Sequence, residues 1–244
     1  MPEPPAWEDL FRTAAARGDP ALLRDAVAAG LPLDDPCLHG AYTPLQYVAL
    51  TGSQAALVKA LIGAGADVNV RMPPKSSDAG HTALMLAAAH GRTAHVRLLL
   101  EAGADVHVAD ALGSTAVSEA AKGRAKGGTK AHTAVVRLLL DAGARPDAQT
   151  LQYAAWSGNP DIVQLVLDAG VDPNEPARLG LPLVWAFATK GQLGNAEVLL
   201  RAGADPDRSA ATGQFAGFTA RGMARGGGKA AVALLAAYPP RPGT

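Results

Sequence analysis

One short phrase recurs along the chain, and this repetition restricts the possible folds more than any other feature of the sequence. Two apolar residues, one variable residue and Ala-Gly appear together five times, and Ala-Asp follows in three of these copies. Such self-similarity indicates a stack of structural repeats rather than one closed globular core. The copies occupy Leu61–Asp67, Leu99–Asp105, Leu139–Gly143, Val166–Gly170 and Leu199–Asp205, and a weaker copy ends at Gly30.

A second phrase with small residues at fixed offsets precedes the first one, as in Thr43–Ala49, Thr82–Ala88 and Leu151–Ala155. Thr43 and Thr82 are natural N-caps, because a threonine side chain can accept a hydrogen bond from the first turn of a helix. Proline suits the first helical position, where no backbone N–H is needed. The second phrase therefore predicts the first helix of each repeat.

The residues that lead into the Ala-Gly phrase predict a second helix. Val96, Leu99 and Leu100 follow the i, i+3, i+4 spacing that puts apolar side chains on one helical face. Gly103 then stands where a helix ends and a positive φ is favoured. Each repeat is thus a helix–turn–helix unit with a loop, and only stacking of neighbouring units buries its apolar faces.

These phrases resemble the ankyrin repeat, whose signature is Thr-Pro-Leu-His-x-Ala, a later Gly, a Val/Leu-rich helix and Gly-Ala-Asp. The resemblance extends from about Trp7 to Tyr238. It implies an all-α ankyrin-repeat solenoid of about seven helix–turn–helix repeats with short β-hairpin fingers. By the same resemblance, partners dock on the concave face, which consists of finger tips and first helices.

The spacing of the terminal glycines locates departures from the ankyrin period of about 33 residues. Repeat three carries extra residues in its long entering finger, 71–81, and repeat four has an insert between its helices, within 122–130. Repeat five has lost six residues from its entering loop, so its β-finger is predicted to be missing or rudimentary. We predict one domain over 6–238, with repeats at about 6–34, 38–69, 78–107, 111–147, 148–174, 178–207 and 213–238, and flexible termini at 1–5 and 239–244.

Composition excludes several other classes of protein. The single cysteine, Cys37, rules out an internal disulfide framework and a Cys-rich zinc site. The formal net charge of zero argues against a general polyanion binder. No apolar run reaches about 18 residues and the amino end has no signal-peptide pattern, so we expect a cytoplasmic protein without a membrane span. Richness in Ala, Gly, Pro and Arg favours a bacterial source.

A search for catalytic motifs finds none, so we predict that the chain is not an enzyme and needs no cofactor. Zincin, Cys-x-x-Cys and nucleophile-elbow patterns are absent from the sequence. The segment 123–130 has glycines and cations, but its Thr and Lys stand in the reverse order of a P-loop. The six histidines show no metal-ligand spacing within one element, and only His81 and His90 could approach each other, so no metal site is predicted.

The insert of repeat four offers an alternative function through its charge. Its cations could bind nucleic acid or a phosphorylated ligand, although the insert has no aromatic residue to stack a base. Nucleic acid is therefore the less favoured partner. The cations of this basic insert are Lys122, Arg124, Lys126 and Lys130.

The candidate partner-binding residues follow from the ankyrin resemblance. Finger tips place Tyr42, His81, Ser114, Leu181 and Phe218 on the concave face, and the variable pair before the inter-helix Gly adds Thr51, His90, Trp156 and Lys190. The long finger of repeat three adds Arg71 and Lys75.

Trp156 has two interpretations at this stage. It is either an exposed aromatic of the kind that dominates binding energy, or a core residue that fills the notch left by the missing finger. Trp185 and Tyr153 are predicted to be core, given their helical phase beside alanines. We therefore predict a monomeric, non-catalytic module that binds one protein partner on its concave face as a scaffold or regulator.

Overall fold

The computed structural model describes residues 6–38, 42–52, 54–74, 78–123, 130–178, 180–188, 193–209, 213–226 and 228–239. The described residues contain fourteen α-helices and no β-strand. The helices pair into seven helix–turn–helix units, as the ankyrin resemblance implies. They are α1 (Ala6–Arg17) and α2 (Pro20–Ala28), α3 (Pro44–Thr51) and α4 (Ala55–Gly63), α5 (Ala83–Ala89) and α6 (Thr93–Glu101), α7 (Ala116–Lys122) and α8 (Lys130–Asp141), α9 (Ala148–Ser157) and α10 (Pro160–Asp168), α11 (Pro182–Ala188) and α12 (Leu193–Arg201), and α13 (Ala220–Gly226) and α14 (Lys229–Ala236).

The local signals explain where these helices begin and end. The Thr43 side chain accepts a hydrogen bond from Gln46 N while the Gln46 side chain accepts one from Thr43 N, which is a capping box. Thr82 also caps its helix, α5, because its side chain accepts a hydrogen bond from Met85 N. Gly103 ends the second helix of its repeat with φ of 84°. The predicted caps and the predicted terminal glycine are therefore confirmed.

The helices stack in two layers. In the first layer each first helix from α3 to α11 packs against the next first helix along the chain, and in the second layer each second helix from α2 to α10 packs against the next second helix. One continuous apolar core runs between the layers from Phe11 to Leu235. Small residues such as Ala87 and Ala88 are completely buried in it, because close helix packing leaves no room for longer side chains.

The fingers are shorter than hairpins. Among the described residues they consist of isolated antiparallel bridges or single turns, such as the bridges Leu38–Tyr42, Ala177–Gly180 and Ser209–Thr219. The long finger of repeat three is held by Met72 N donating to His81 O and Gly80 N donating to Met72 O. No bridge occurs between the end of α8 and the start of α9, so the finger of repeat five is missing, as predicted.

Two predicted segments lie wholly or partly outside the described residues. Residues 124–129 of the basic insert lie outside the described residues. Of the predicted flexible termini, only Pro239 is described. The repeat boundaries given above stay a prediction.

Candidate functional site

Three of the predicted contact residues are buried, and this corrects the prediction that they face a partner. The His81 ring is 6% exposed and its Nδ1 lies 2.8 Å from Asp78 O. Ser114 is 1% exposed, and its Oγ lies within hydrogen-bonding distance of Lys122 Nζ. Leu181 is part of the apolar core. The hydrogen bonds of His81 and Ser114 and the core packing of Leu181 turn these side chains away from solvent.

The other predicted contacts that the structure describes reach the surface to different degrees. Tyr42 and His90 are half-buried and hydrogen-bonded, to Asp78 Oδ2 and to Leu86 O respectively. Thr51 and Arg71 are exposed, although their side chains bond to the carbonyls of Tyr47 and Ala109. Trp156 and Phe218 are exposed without such anchors. Lys75 and Lys190 lie outside the described residues.

Trp156 forms one wall of an apolar cleft between repeats five and six. The cleft has a volume of about 240 Å³ and lies between α9 and α11, which both belong to the layer of first helices. The Trp156 side chain is 49% exposed, which decides against its interpretation as a core residue. We call this feature the aromatic cleft; its lining residues are Gln152, Tyr153, Trp156 and Trp185.

Aromatic contacts extend the cleft toward the last repeat. The Trp185 and Phe215 rings meet edge to face at a centroid distance of 4.9 Å, and Phe215 meets Phe218 at 6.2 Å. Phe218 is 53% exposed. The result is a band of aromatic rings that crosses repeats five, six and seven.

Sequence reasoning missed part of this band by assigning Tyr153 and Trp185 to the core. Both are only half-buried and both line the cleft. The repeat register contained a signal for this surface. Tyr153 and Trp185 occupy the same position of successive first helices, as the alignment of Leu151–Trp156 with Leu183–Ala188 shows. Equivalent positions of stacked repeats lie side by side, so two large aromatics there form a continuous surface.

A charged network adjoins the cleft on the side of repeat four. Lys122 Nζ lies 4.4 Å from the centroid of the Tyr153 ring and 2.5 Å from Glu119 Oε1. Burial would raise the pKa of the Glu119 carboxyl, but its contacts with His81 and Lys122 outweigh burial and lower that pKa to about 2. Burial would likewise lower the pKa of His81, and the nearby Glu119 carboxylate raises it instead.

This network bears on the predicted basic insert and on the prediction that the chain has no metal site. Lys122, one of the four cations of the predicted basic insert, is engaged by Glu119, and Lys130 is exposed at the start of α8. Arg124 and Lys126 lie outside the described residues. Within the described chain, one group of potential metal ligands lies together, namely His81, Asp110 and Glu119, and His90 is not part of it.

These observations define a class of protein: a helical repeat solenoid with an apolar aromatic cleft on its first helices. Comparison with known proteins identifies the family. The family model for ankyrin repeats in three copies matches residues 11–110, and a second model for a single ankyrin repeat matches 150–178. The crystal structure of the human ASB11 ankyrin repeat domain is similar, with a TM-score of 0.72 and 25% identity over 95% of this chain and 98% of that one. The chain belongs to the ankyrin repeat family.

Curated relatives agree on the repeat and differ in the rest of their chains. The ankyrin repeat and KH domain-containing protein mask-1 of Caenorhabditis elegans is 34% identical over 137 residues, which cover 52% of this chain and 5% of that protein. Mouse ankyrin repeat and SOCS box protein 16 is 37% identical over 99 residues, which cover 38% and 22%. A putative ankyrin repeat-containing protein of Treponema pallidum is 38% identical over 142 residues, which cover 58% and 43%. This chain therefore matches less than half the length of each relative.

Ankyrin repeats are generally protein–protein interaction modules, and this coarse function extends to the chain through its family. The relatives come from animals as well as from Treponema pallidum, so a bacterial source stays a prediction. No helix within the described residues is long and apolar enough to cross a membrane.

Proposed function

We propose that this chain is a non-catalytic module that binds a partner protein through the aromatic cleft and the adjoining Phe218. The observation that carries the proposal is the exposure of Trp156 beside an apolar cleft. Exposed aromatics next to a pocket supply much of the binding energy at protein interfaces, since a partner side chain that enters the pocket removes them from water.

The cleft is already ordered by contacts across the repeats, which supports its use as a binding site. Gln152 Nε2 donates to Gly180 O in the finger of the next repeat at 2.9 Å. Gln149 Nε2 donates to the Tyr153 hydroxyl at 2.6 Å, and Trp185 packs against Phe215. A surface whose side chains are held in place before binding loses little conformational entropy when a partner docks.

The missing finger of repeat five supports the same site. In the neighbouring repeat, the bridge between Ala177 and Gly180 closes a finger in front of α11. Only a short loop separates α8 from α9, so no bridged finger stands at the entrance to α9, which carries Tyr153 and Trp156. We expect the module to act in the cytoplasm as a monomer, with the partner rather than a second copy covering the cleft.

The experiment that tests this function is affinity capture from a lysate of the source cells, with captured proteins quantified by mass spectrometry. The bait is the untagged chain coupled to resin, and the variant is Trp156→Ala combined with Phe218→Ala. The matched control is Val232→Ala, which removes an apolar side chain of comparable exposure (50%) from α14, away from the cleft.

We expect the wild type and Val232→Ala to capture the same protein partner, and this capture should persist after nuclease treatment and at raised salt. The amount captured by the cleft variant should be at least 10-fold lower, since hot-spot losses reach about 2 kcal/mol or more. Equal capture by the cleft variant would refute the site. Recovery of nucleic acid that disappears at high salt would refute a protein partner, because counterion release makes such binding steeply salt-dependent.

A further inference from the structure

Glu119 occupies a repeat position that carries a large apolar or aromatic residue elsewhere. In the register of the first helices it corresponds to Tyr47, Leu86, Tyr153 and Trp185. Its side chain is only 2% exposed, although a carboxylate is costly to bury. A buried acid in place of an apolar residue calls for cations or donors around it, and these are Lys122 of the same helix and His81 of the long finger of repeat three.

Three potential ligands converge at this point from three separate elements. His81 ends the long finger of repeat three, Asp110 begins the turn that enters repeat four, and Glu119 lies in α7. Each offers one ligand atom, and the three atoms lie within 4.8 Å of one another. The sequence did not predict this group, because no two of these residues share a helix or a local motif.

The hydrogen bonds of His81 leave its second ring nitrogen directed at Glu119. Nδ1 is 2.8 Å from the carbonyl of Asp78, an acceptor, so Nδ1 carries a proton. Nε2 is buried, has no hydrogen-bond partner, and lies 3.9 Å from Glu119 Oε2. A backbone carbonyl that fixes the tautomer in this way is the usual outer support of a metal-binding histidine.

The two acids each keep one oxygen available. Asp110 Oδ1 accepts hydrogen bonds from Leu112 N and Ser114 N, at 2.8 and 2.7 Å, while Oδ2 receives none from any described residue. Glu119 Oε1 accepts from Lys122, which leaves Oε2 facing His81. In its neutral form the His81 ring offers the Nε2 lone pair, so that this nitrogen and the two carboxylate oxygens form a set of three ligand atoms.

We propose that His81, Asp110 and Glu119 form a binding site for one divalent transition-metal ion of the zinc class. One imidazole nitrogen and two carboxylate oxygens are ligands that such ions accept, and water completes the coordination. The ion would join the long finger of repeat three to the first helix of repeat four. This site is separate from the partner-binding function proposed above and does not depend on it.

The three ligand atoms lie within 4.8 Å of one another and must move closer together to hold such an ion. Zinc bonds to nitrogen and oxygen at about 2.0–2.2 Å, so neighbouring ligand atoms of a tetrahedral ion are about 3.4 Å apart. The separation of 3.9 Å between His81 Nε2 and Glu119 Oε2 must therefore shorten by about 0.5 Å. Lys122 competes for the charge of Glu119, and a proton competes for His81 Nε2, so the affinity falls as the pH is lowered.

The test is isothermal titration of ZnCl₂ into the full, untagged chain after chelator treatment and dialysis, followed by titration of CoCl₂ with detection of its visible absorption. The diagnostic variants are Glu119→Gln and Asp110→Asn, which keep the size of each side chain and its hydrogen bonds from Lys122 and from Leu112 and Ser114. His81→Ala is a third variant, and His107→Ala is the matched control because His107 is an exposed histidine outside the group. Circular dichroism establishes that each variant is folded.

We expect one equivalent of zinc per wild-type chain, the same for His107→Ala, and binding at least about 10-fold weaker for both carboxylate variants. Bound Co²⁺ should show the intense absorption of a low-coordinate site in the wild type and in His107→Ala, and this absorption should be absent from both carboxylate variants. The proposal is overturned if the wild type shows no saturable binding, or if both carboxylate variants bind like the wild type. The carboxylate variants decide the matter even if His81→Ala does not fold.

Discussion

Burial of Glu119 on its own would favour the neutral carboxylic acid, yet the surrounding cations hold the residue ionised. The pKa of its carboxyl falls from an ordinary 4.5 to about 2 because the contacts with His81 and Lys122 outweigh the loss of water. A carboxyl whose pKa is lower in the folded state stabilises the fold at a pH above its unfolded pKa. That contribution disappears as the pH falls toward the folded pKa.

The pH dependence of stability should therefore separate the wild type from Glu119→Gln. The free energy of unfolding of the wild type, relative to that of Glu119→Gln, should fall by roughly 2 kcal/mol between about pH 5 and about pH 3. The reason is that the Glu119 carboxyl takes up its proton at a higher pH in the unfolded chain than in the folded one. The pKa of His81 is raised, so His81 is protonated throughout this window in the wild type and adds no slope. The measurement is urea unfolding of both chains at the two pH values with chelator present, and a constant difference between them would contradict this account.

Helix ends in this fold are satisfied partly by side chains of the next repeat. His132 Nε2 lies 3.2 Å from Ala89 O, at the end of α5, and Asn195 Nδ2 donates to Ala154 O and Ala155 O in α9. The last carbonyls of a helix have no partner within the helix, so these side chains stabilise the ends of α5 and α9 and their junctions with the next repeat.

The junction between α5 and α8 is tight enough to require glycine for two reasons. Gly91 has φ of 64°, and a Cβ added there would lie 3.0 Å from the His132 ring. Gly103 also has a positive φ, 84°, but a Cβ there would meet nothing within 4 Å. Alanine at Gly103 therefore tests the cost of the backbone conformation alone, and alanine at Gly91 tests that cost together with the cost of crowding.

We expect Gly103→Ala to lower the free energy of unfolding by about 1–2 kcal/mol, the usual cost of a left-handed conformation with a side chain. Gly91→Ala should cost about 1 kcal/mol more, because the His132 ring must move and its bond to Ala89 O weakens. Urea unfolding of the two variants at one pH measures the difference. Equal losses would mean that the His132 ring moves aside at no cost.

The elements differ in how far the sequence predicts them. The Thr43 and Thr82 caps and the terminal Gly103 are local signals, and each was predicted from a few neighbouring residues. The contacts of His132 and Asn195 join residues about forty positions apart, and no local pattern records which carbonyl they reach. Burial of His81, Ser114 and Leu181 was also missed, because the repeat pattern marks the finger positions without showing which of their side chains pack inward.

At the scale of the whole molecule, the repeat period made the solenoid predictable while the candidate site was only partly predictable. Trp156 and Phe218 were recognised one repeat at a time. The cleft also needs Tyr153 and Trp185, which line it together because α9 stacks against α11. Stability in such a stack is close to a sum of repeat and interface terms, so each end can open separately.

Arg221 adds a polar link between the last repeat and the stack, beside the packing of α13 against α11. Arg221 Nε and Nη2 donate to the two carboxylate oxygens of Asp207 at 2.6 and 3.0 Å, and Nη2 also donates to Tyr238 O at 2.8 Å. The residue thus joins the loop after α12 to the end of α14. Its ion pair is about three-quarters buried, and a paired, buried guanidinium is stronger than an exposed one.

Replacement of this arginine should release the last repeat before the rest of the chain. Arg221→Met should lower the free energy of opening of α13 and α14 by about 2 kcal/mol, which corresponds to roughly 30-fold faster amide hydrogen exchange there. Protection in α5 to α8 should not change, because these repeats contact only their neighbours. The matched control is Arg201→Met, which removes an exposed i, i+4 pair with Glu197 and should change exchange by less than about threefold. Uniformly faster exchange along the whole chain would instead mean that the solenoid opens as one cooperative unit.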